Sequence, residues 1–199
     1  MRLFILITTL GILSCGQNAA NKKAEDKDTT TKIPPVIKKD IEVNESPPLE
    51  PAVNGSLAEK YDSAWHVMND REAKWIKDAF DYFIVPKRKE NPDYPYVTTG
   101  DFNGDGKIDT AAVVTDKKKE EFRIAILLSN GKIEMWKDDV LINAALSTVP
   151  KGTAVEGGNI DHPKKIKMKI DGINVEYFEQ ASFVVYQSGN KFKRLQTGD

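Results

Sequence analysis

The sequence predicts an α+β domain, with one or two N-terminal helices packed on an antiparallel β-meander. Three observations point there. Helical apolar spacing is confined to the stretch before Pro86. After it come short β-branched runs separated by Asn-Gly and Asp-Gly turns. About 145 residues from Ser56 onward are enough for one domain around a single core.

In chain order, Leu57, Tyr61, Ala64, Trp65 and Met68 lie at helical spacing and predict a first helix. Asn69 or Asp70 can cap a second, with Glu72 and Asp78 on its polar side. Its apolar stripe is Ile76, Ala79, Phe80 and Phe83, with Trp75 at the edge and Pro86 as the stop. Asn91 to Pro95 is a loop. Val97-Thr98-Thr99 and Thr110 to Thr115 are strand-like, and so is Phe122 to Leu128. Lys117-Lys118-Lys119 followed by Glu120-Glu121 forms a solvated hairpin tip. Ser129 to Lys132 turns the chain into Ile133-Glu134-Met135-Trp136.

Pro150 to Pro163 contains Gly152, Gly157 and Gly158 and reads as irregular, either a binding loop or a long connection. Lys165 to Ile170 alternates strictly, giving one apolar face and one row of lysines. Asp171-Gly172 then turns into Ile173 to Phe178, and Ser182 to Gln187 pairs with Lys191 to Leu195 across Ser188-Gly189-Asn190. The lysine row is expected to pair with Glu176 and Glu179 across strands. A carbohydrate or anionic polymer is an alternative partner for it.

The chemistry concentrates in Asp101-Phe102-Asn103-Gly104-Asp105-Gly106-Lys107-Ile108-Asp109. Oxygen-bearing side chains fall at alternate positions, and two glycines let the backbone curl around their point of convergence. Calcium takes about six to eight oxygen ligands, and short Asp/Asn loops supply them. The expected ligands are Asp101, Asn103, Asp105 and Asp109 through side chains and Lys107 through its carbonyl, with water completing the shell. The helix–loop–helix calcium motif needs a Glu at its twelfth position, which here is Ala112. The flanks are strand-like as well. With Thr99-Gly100 before it, the run resembles the FG-GAP/VCBS class of repeats, strand–loop–strand units whose loop binds calcium. The resemblance implies the same five ligand positions. It spans about twenty residues in a single copy, whereas propellers stack several. The competing reading is a tight turn that binds nothing.

At the N-terminus, Met1-Arg2 precedes an apolar run from Leu3 to Leu13, too short to span a bilayer as a helix of about twenty residues. It matches the core of a secretory signal. Its end, Ile12-Leu13-Ser14-Cys15, resembles the lipobox of bacterial lipoproteins. That resemblance implies a signal peptide over 1–14, cleavage before Cys15, and acylation of Cys15 by palmitate-like chains. By resemblance to lipoprotein sorting rules, Gly16 after the cysteine favours the outer over the inner membrane. Cys15 is the only cysteine, so once acylated it leaves no thiol for disulfides, zinc or catalysis. Residues 15–55, rich in Lys, Asp, Thr and Pro, read as a tether, and 56–199 as the domain.

The net charge is −1, so there is no basic footprint of a nucleic-acid binder. His66 and His162 are the only histidines, and neither has a partner at metal-ligand spacing. Asp161-His162 could orient a base, but no nucleophile context accompanies it. No phosphate-binding or dinucleotide motif occurs. The expectation is a non-enzymatic lipoprotein of the cell envelope, held on the bilayer by Cys15, with a calcium-stabilised binding or structural domain for an envelope glycan or protein. The alternatives are a calcium-dependent envelope hydrolase of glycan or peptide, or a protein-binding inhibitor module.

Overall fold

The computed structural model describes residues 47–61, 64–116, 118–137, 141–159, 161–178 and 180–198. The expected signal peptide, Cys15 and most of the expected tether lie outside them, as does Glu179. Among the described residues, no helix is long and apolar enough to cross a membrane.

The architecture is α+β, with antiparallel sheets dominating. Helix α1 (Glu50–Lys60) opens the domain. It buries Val53 and Leu57, four residues apart on one face. The packed chain therefore starts before the expected boundary at Ser56. Pro51 reads as tether, yet it stands at the start of the helix, where its missing N–H costs nothing. The Asn54 side chain then accepts the Val67 N–H at 2.7 Å.

The first predicted helix does not continue through Trp65 and Met68. Trp65–Val67 is strand β1, which pairs with the far end of β3. Their apolar spacing suits a helix, but Trp65 and Val67 also alternate about half-buried His66, and the open edge of β3 selects the strand. Asn69 and Glu72 make reciprocal bonds, with Asn69 N–H on Glu72 Oε2 at 3.1 Å and Glu72 N–H on the Asn69 carbonyl at 3.0 Å, while Arg71 N–H bonds Asn69 Oδ1 at 3.0 Å. These close a turn rather than opening a helix.

Helix comes later and is continuous over 77–88, running from α2 (Lys77–Ala79) through a π turn (Phe80–Ile84) into α3 (Val85–Arg88). Ala79 and Ile84, five residues apart, are its buried residues. An i→i+5 turn places that spacing on one face. Ile76 and Phe83, expected in the stripe, are instead exposed. Pro86 does not stop the helix. It enters in the first turn of α3, where proline is tolerated.

Strands β2 (Val97–Gly100) and β1 share one edge of β3 (Asp109–Asp116), and β4 (Glu121–Leu127) and β5 (Ile133–Lys137) follow on the other side. A short 3-10 turn (Leu141–Asn143) leads into β6 (Ala145–Val149). The second sheet has the order β11 (Lys191–Gly198), β10 (Ala181–Ser188), β9 (Gly172–Tyr177), β6. Both sheets contribute to one core, with Val97, Ala112, Val113, Ile124 and Ile126 meeting Leu146, Ile173, Val175, Phe183 and Val185. A Thr98–Thr148 hydroxyl pair at 2.7 Å bridges the two sheets beside the loop.

Pro150 to Pro163 is not irregular. It contains β7 (Ala154–Gly158), which pairs with β8 (Pro163–Lys167) as a two-stranded ribbon. The ribbon covers the outer face of the second sheet through Val155, Met168, Val184 and Leu195. Gly157 reads as a loop residue but is a packing residue. A Cβ there would sit 1.9 Å from the Gln196 carbonyl oxygen. The lysine row accordingly meets Glu156 on β7, with Lys165 Nζ and Glu156 Oε1 at 2.6 Å. It does not meet Glu176, which lies opposite Ala145 and Ser182. Asp171-Gly172 is thus no hairpin turn, because β9 inserts between β6 and β10 instead of pairing with β8.

Candidate cation-binding loop

Gly100 and Asp109 face each other in the β2–β3 register, so residues 101–108 close a strand–loop–strand unit as expected. Gly104 and Gly106 have φ of +79° and +78°, a region that side-chain-bearing residues avoid. Phe102 is buried in the main core and pins the loop from below.

The side-chain oxygens are bound to backbone N–H groups of the loop itself. Asp101 Oδ1 accepts from Gly104 N at 2.7 Å and Asp105 N at 3.1 Å, and its Oδ2 accepts from Gly106 N at 3.0 Å. Asn103 Oδ1 accepts from Asp105 N at 2.8 Å, while its amide donates to Asp105 Oδ2 at 3.1 Å. Asp105 Oδ1 accepts from Lys107 N at 2.9 Å. Lys107 itself is exposed on the rim.

Asp109 is enclosed. Its Oδ2 accepts the N–H groups of Phe102 and Asn103, and its Oδ1 accepts that of Ser129 at 2.7 Å. Burial raises its carboxyl above the ordinary value, and the neighbouring Asp105 charge adds to the rise, against the pull of those N–H donors. Asp105 moves the other way. The Lys107 N–H, then the Ser129 hydroxyl at 2.8 Å, hold its carboxyl below the ordinary range.

The structure thus joins Asp101, Asn103, Asp105 and Asp109 in one bonded system. Two residues that sequence reading missed complete it. Ser129, expected only as a turn, links Asp105 to Asp109. Asp171 accepts the Asp101 N–H from the second sheet. Neither spacing nor residue type marks them, since only the fold brings them to the loop.

The donor set consists of hard oxygens, which is what calcium requires. A carboxylate has about four acceptor positions and an amide oxygen about two. Asp101, Asp105 and Asp109 each use three and Asn103 uses one, so each keeps about one in reserve. Among the described residues, no group of three or more His, Cys, Asp or Glu side chains is already converged as a metal centre. The loop is built and internally satisfied, with spare oxygen capacity.

His66 and His162 stand elsewhere. His66 Nε2 contacts Glu72 Oε1 at 2.8 Å and Nδ1 contacts the Ala64 carbonyl, so its ring braces the turn after β1. His162 is exposed between β7 and β8, its N–H on Asn159 Oδ1 at 2.7 Å.

Comparison with models of protein families, with curated proteins and with solved structures finds no match to the chain.

Proposed function

We propose that this chain is a lipid-anchored lipoprotein of the bacterial cell envelope whose domain is a calcium-stabilised binding or structural module. The observation that carries the calcium reading is the spare acceptor position on each of Asp101, Asn103, Asp105 and Asp109, within one loop of alternating oxygens. The Lys107 carbonyl and water complete the proposed shell, following the resemblance to FG-GAP/VCBS units. When bound, calcium would neutralise neighbouring carboxylates, and its binding free energy would add to that of folding. The anchor rests on the Leu3–Leu13 run ending at Cys15, with the outer membrane as the proposed site.

Calorimetric calcium titration of residues 16–199, with thermal melts in calcium and in EDTA, tests the ion. At a hundredfold excess over Kd, a single site adds about 2.7 kcal/mol, or about 8 °C in Tm for a domain of this size. No heat of binding and identical melts would reduce the loop to a turn. Labelling of the full chain with an alkyne-bearing palmitate analogue, lost in Cys15→Ser, tests the anchor.

A further inference from the structure

Residues 166–170 and the end of β10 border a cleft of about 310 Å³ on the outer side of the second sheet. Its floor is apolar. Ile166 and Met168 meet Tyr186 of β10 there, and Ile170 lines the cleft with them. Its rim is basic. Lys167 and Lys169 line it, and Lys193 stands directly opposite Tyr186 in the β10–β11 register, on the same face of the sheet. Ser188 adds a hydroxyl at the mouth, and among the described residues no acidic side chain lines the cleft.

The acids nearby are already engaged. Glu156 pairs with Lys165, and Asp171 accepts the N–H groups of Asp101 and Lys151. Lys167, Lys169 and Lys193 are exposed and join no ion pair among the described residues. Three cations thus border an aromatic, apolar floor without a counter-charge. The walls are held in place. Met168 exchanges backbone bonds with the 152–153 turn, its N–H on the Thr153 carbonyl at 2.9 Å and its carbonyl on the Gly152 N–H at 2.8 Å. Its Cε lies where a Cβ on Gly172 would approach to 2.5 Å, and Ile170 sits equally close over Gly104, at 2.8 Å. The two glycines let both side chains settle onto backbone, which fixes the shape of the cleft.

We propose that this cleft binds an anionic glycan chain, one bearing carboxylate or sulfate groups. Ligand sites are commonly concave and mostly apolar, with a few polar groups that fix orientation. A sugar ring has a C–H face that rests on an aromatic ring and hydroxyls that need polar partners at its edge. Tyr186 and Ser188 supply these. Lysine suits acid groups whose spacing varies along a chain, because its ammonium is a point charge on a flexible stem rather than a rigid fork. An acidic peptide would match the lysines but bring no ring to the Tyr186 floor. This gives the binding module a ligand class and requires neither the ion nor the anchor.

Calorimetric titration of residues 16–199 in EDTA, with tetragalacturonate and with a heparin tetrasaccharide, tests the proposal apart from calcium. At least one of them should bind saturably, and uncharged cellotetraose should bind at least about tenfold more weakly. Lys169→Gln/Lys193→Gln should weaken the bound probe about tenfold, with Tm unchanged. Lys74→Gln/Lys89→Gln, the same loss of charge at another exposed site, should leave it within about twofold. Tyr186→Leu, which keeps an apolar side chain on the floor, should also weaken the tetrasaccharide. Absence of heat with both anionic probes would overturn the proposal. Equal binding of cellotetraose or of hexaglutamate would do the same, as would equal loss in the two lysine double variants. The calcium titration is read separately, so failure of the ion and failure of the cleft are distinguishable.

Discussion

Asp171 Oδ2 accepts the N–H of Asp101 at 2.9 Å, across seventy residues of sequence, and Asp171 N–H returns a bond to the Asp101 carbonyl at 3.2 Å. The other oxygen, Oδ1, takes the Lys151 N–H at 2.8 Å. The first residue of the acidic loop is thereby fastened to the turn before β9. Ile170 adds a steric contact, lying where a Cβ on Gly104 would approach to 2.8 Å. Asp171→Ala leaves two N–H donors without their acceptor and should cost about 2 kcal/mol. It should also weaken calcium binding without touching a proposed ligand. Denaturant melts and calorimetry on the same variant check both.

Asp101 and Asp105 should separate the structural from the metal-binding role. Asp101 accepts three backbone N–H groups of its own loop. Asp101→Ala should therefore lose about 2–3 kcal/mol even in EDTA. Asp105→Ala, on the exposed rim, should be near wild type in EDTA and lose the calcium-dependent gain in Tm. Equal losses in EDTA would argue against this division.

The Arg88 guanidinium bonded to Asp70 holds that carboxyl below the ordinary 3.8. A depressed folded-state value contributes stability that is present above pH 3.8 and lost as pH falls through the lowered value. The pair is over a third exposed on the Asp70 side, so solvent limits its worth to about 1 kcal/mol. Asp70→Asn should lower Tm by about 3 °C at neutral pH and flatten the fall below pH 3.8. A pH series of thermal melts on both proteins measures it.

The π turn predicts a contrast within one helix. Ile84 is fully buried, and Ile84→Ala should cost about 2–5 kcal/mol. Tyr82→Ala, two residues earlier, should stay within about 0.5 kcal/mol. Urea denaturation of the two variants provides the comparison.

Gly157→Ala would set a methyl against the Gln196 carbonyl and the Leu195 side chain. It should destabilise by about 2–3 kcal/mol. Proteolysis would then cut the 150–168 segment before the rest of the domain, which would show that the ribbon is held by this close approach.

Much of the architecture was legible because its signals are local. Apolar, β-branched and aromatic runs in Phe122 to Leu128 and Ser182 to Gln187, with glycine turns beside them, mark hairpins that need only neighbouring chain to form. The loop was legible for the same reason. Its oxygens, glycines and flanking strands lie within about a dozen residues, and the backbone closes on them without outside help. Lys165 to Ile170 shows the limit. Its alternation correctly identified an apolar and a basic face, but a period of two cannot say which strand lies alongside.

The sequence by itself determined the α+β class, the β4–β5 and β10–β11 hairpins, and the position and oxygen chemistry of the 101–109 loop. Tertiary structure decided the rest, because those outcomes depend on contacts between distant residues. The open edge of β3 made Trp65–Val67 a strand against its helical spacing. The packing of Ala79 and Ile84 on Phe178 set a π turn and carried the helix past Pro86. Insertion of β9 between β6 and β10 moved the lysine strand to Glu156 and delivered Asp171 to Asp101. Each of these is a competition between a weak local preference and a larger burial or pairing gain, and the gain is defined only once the two sheets meet.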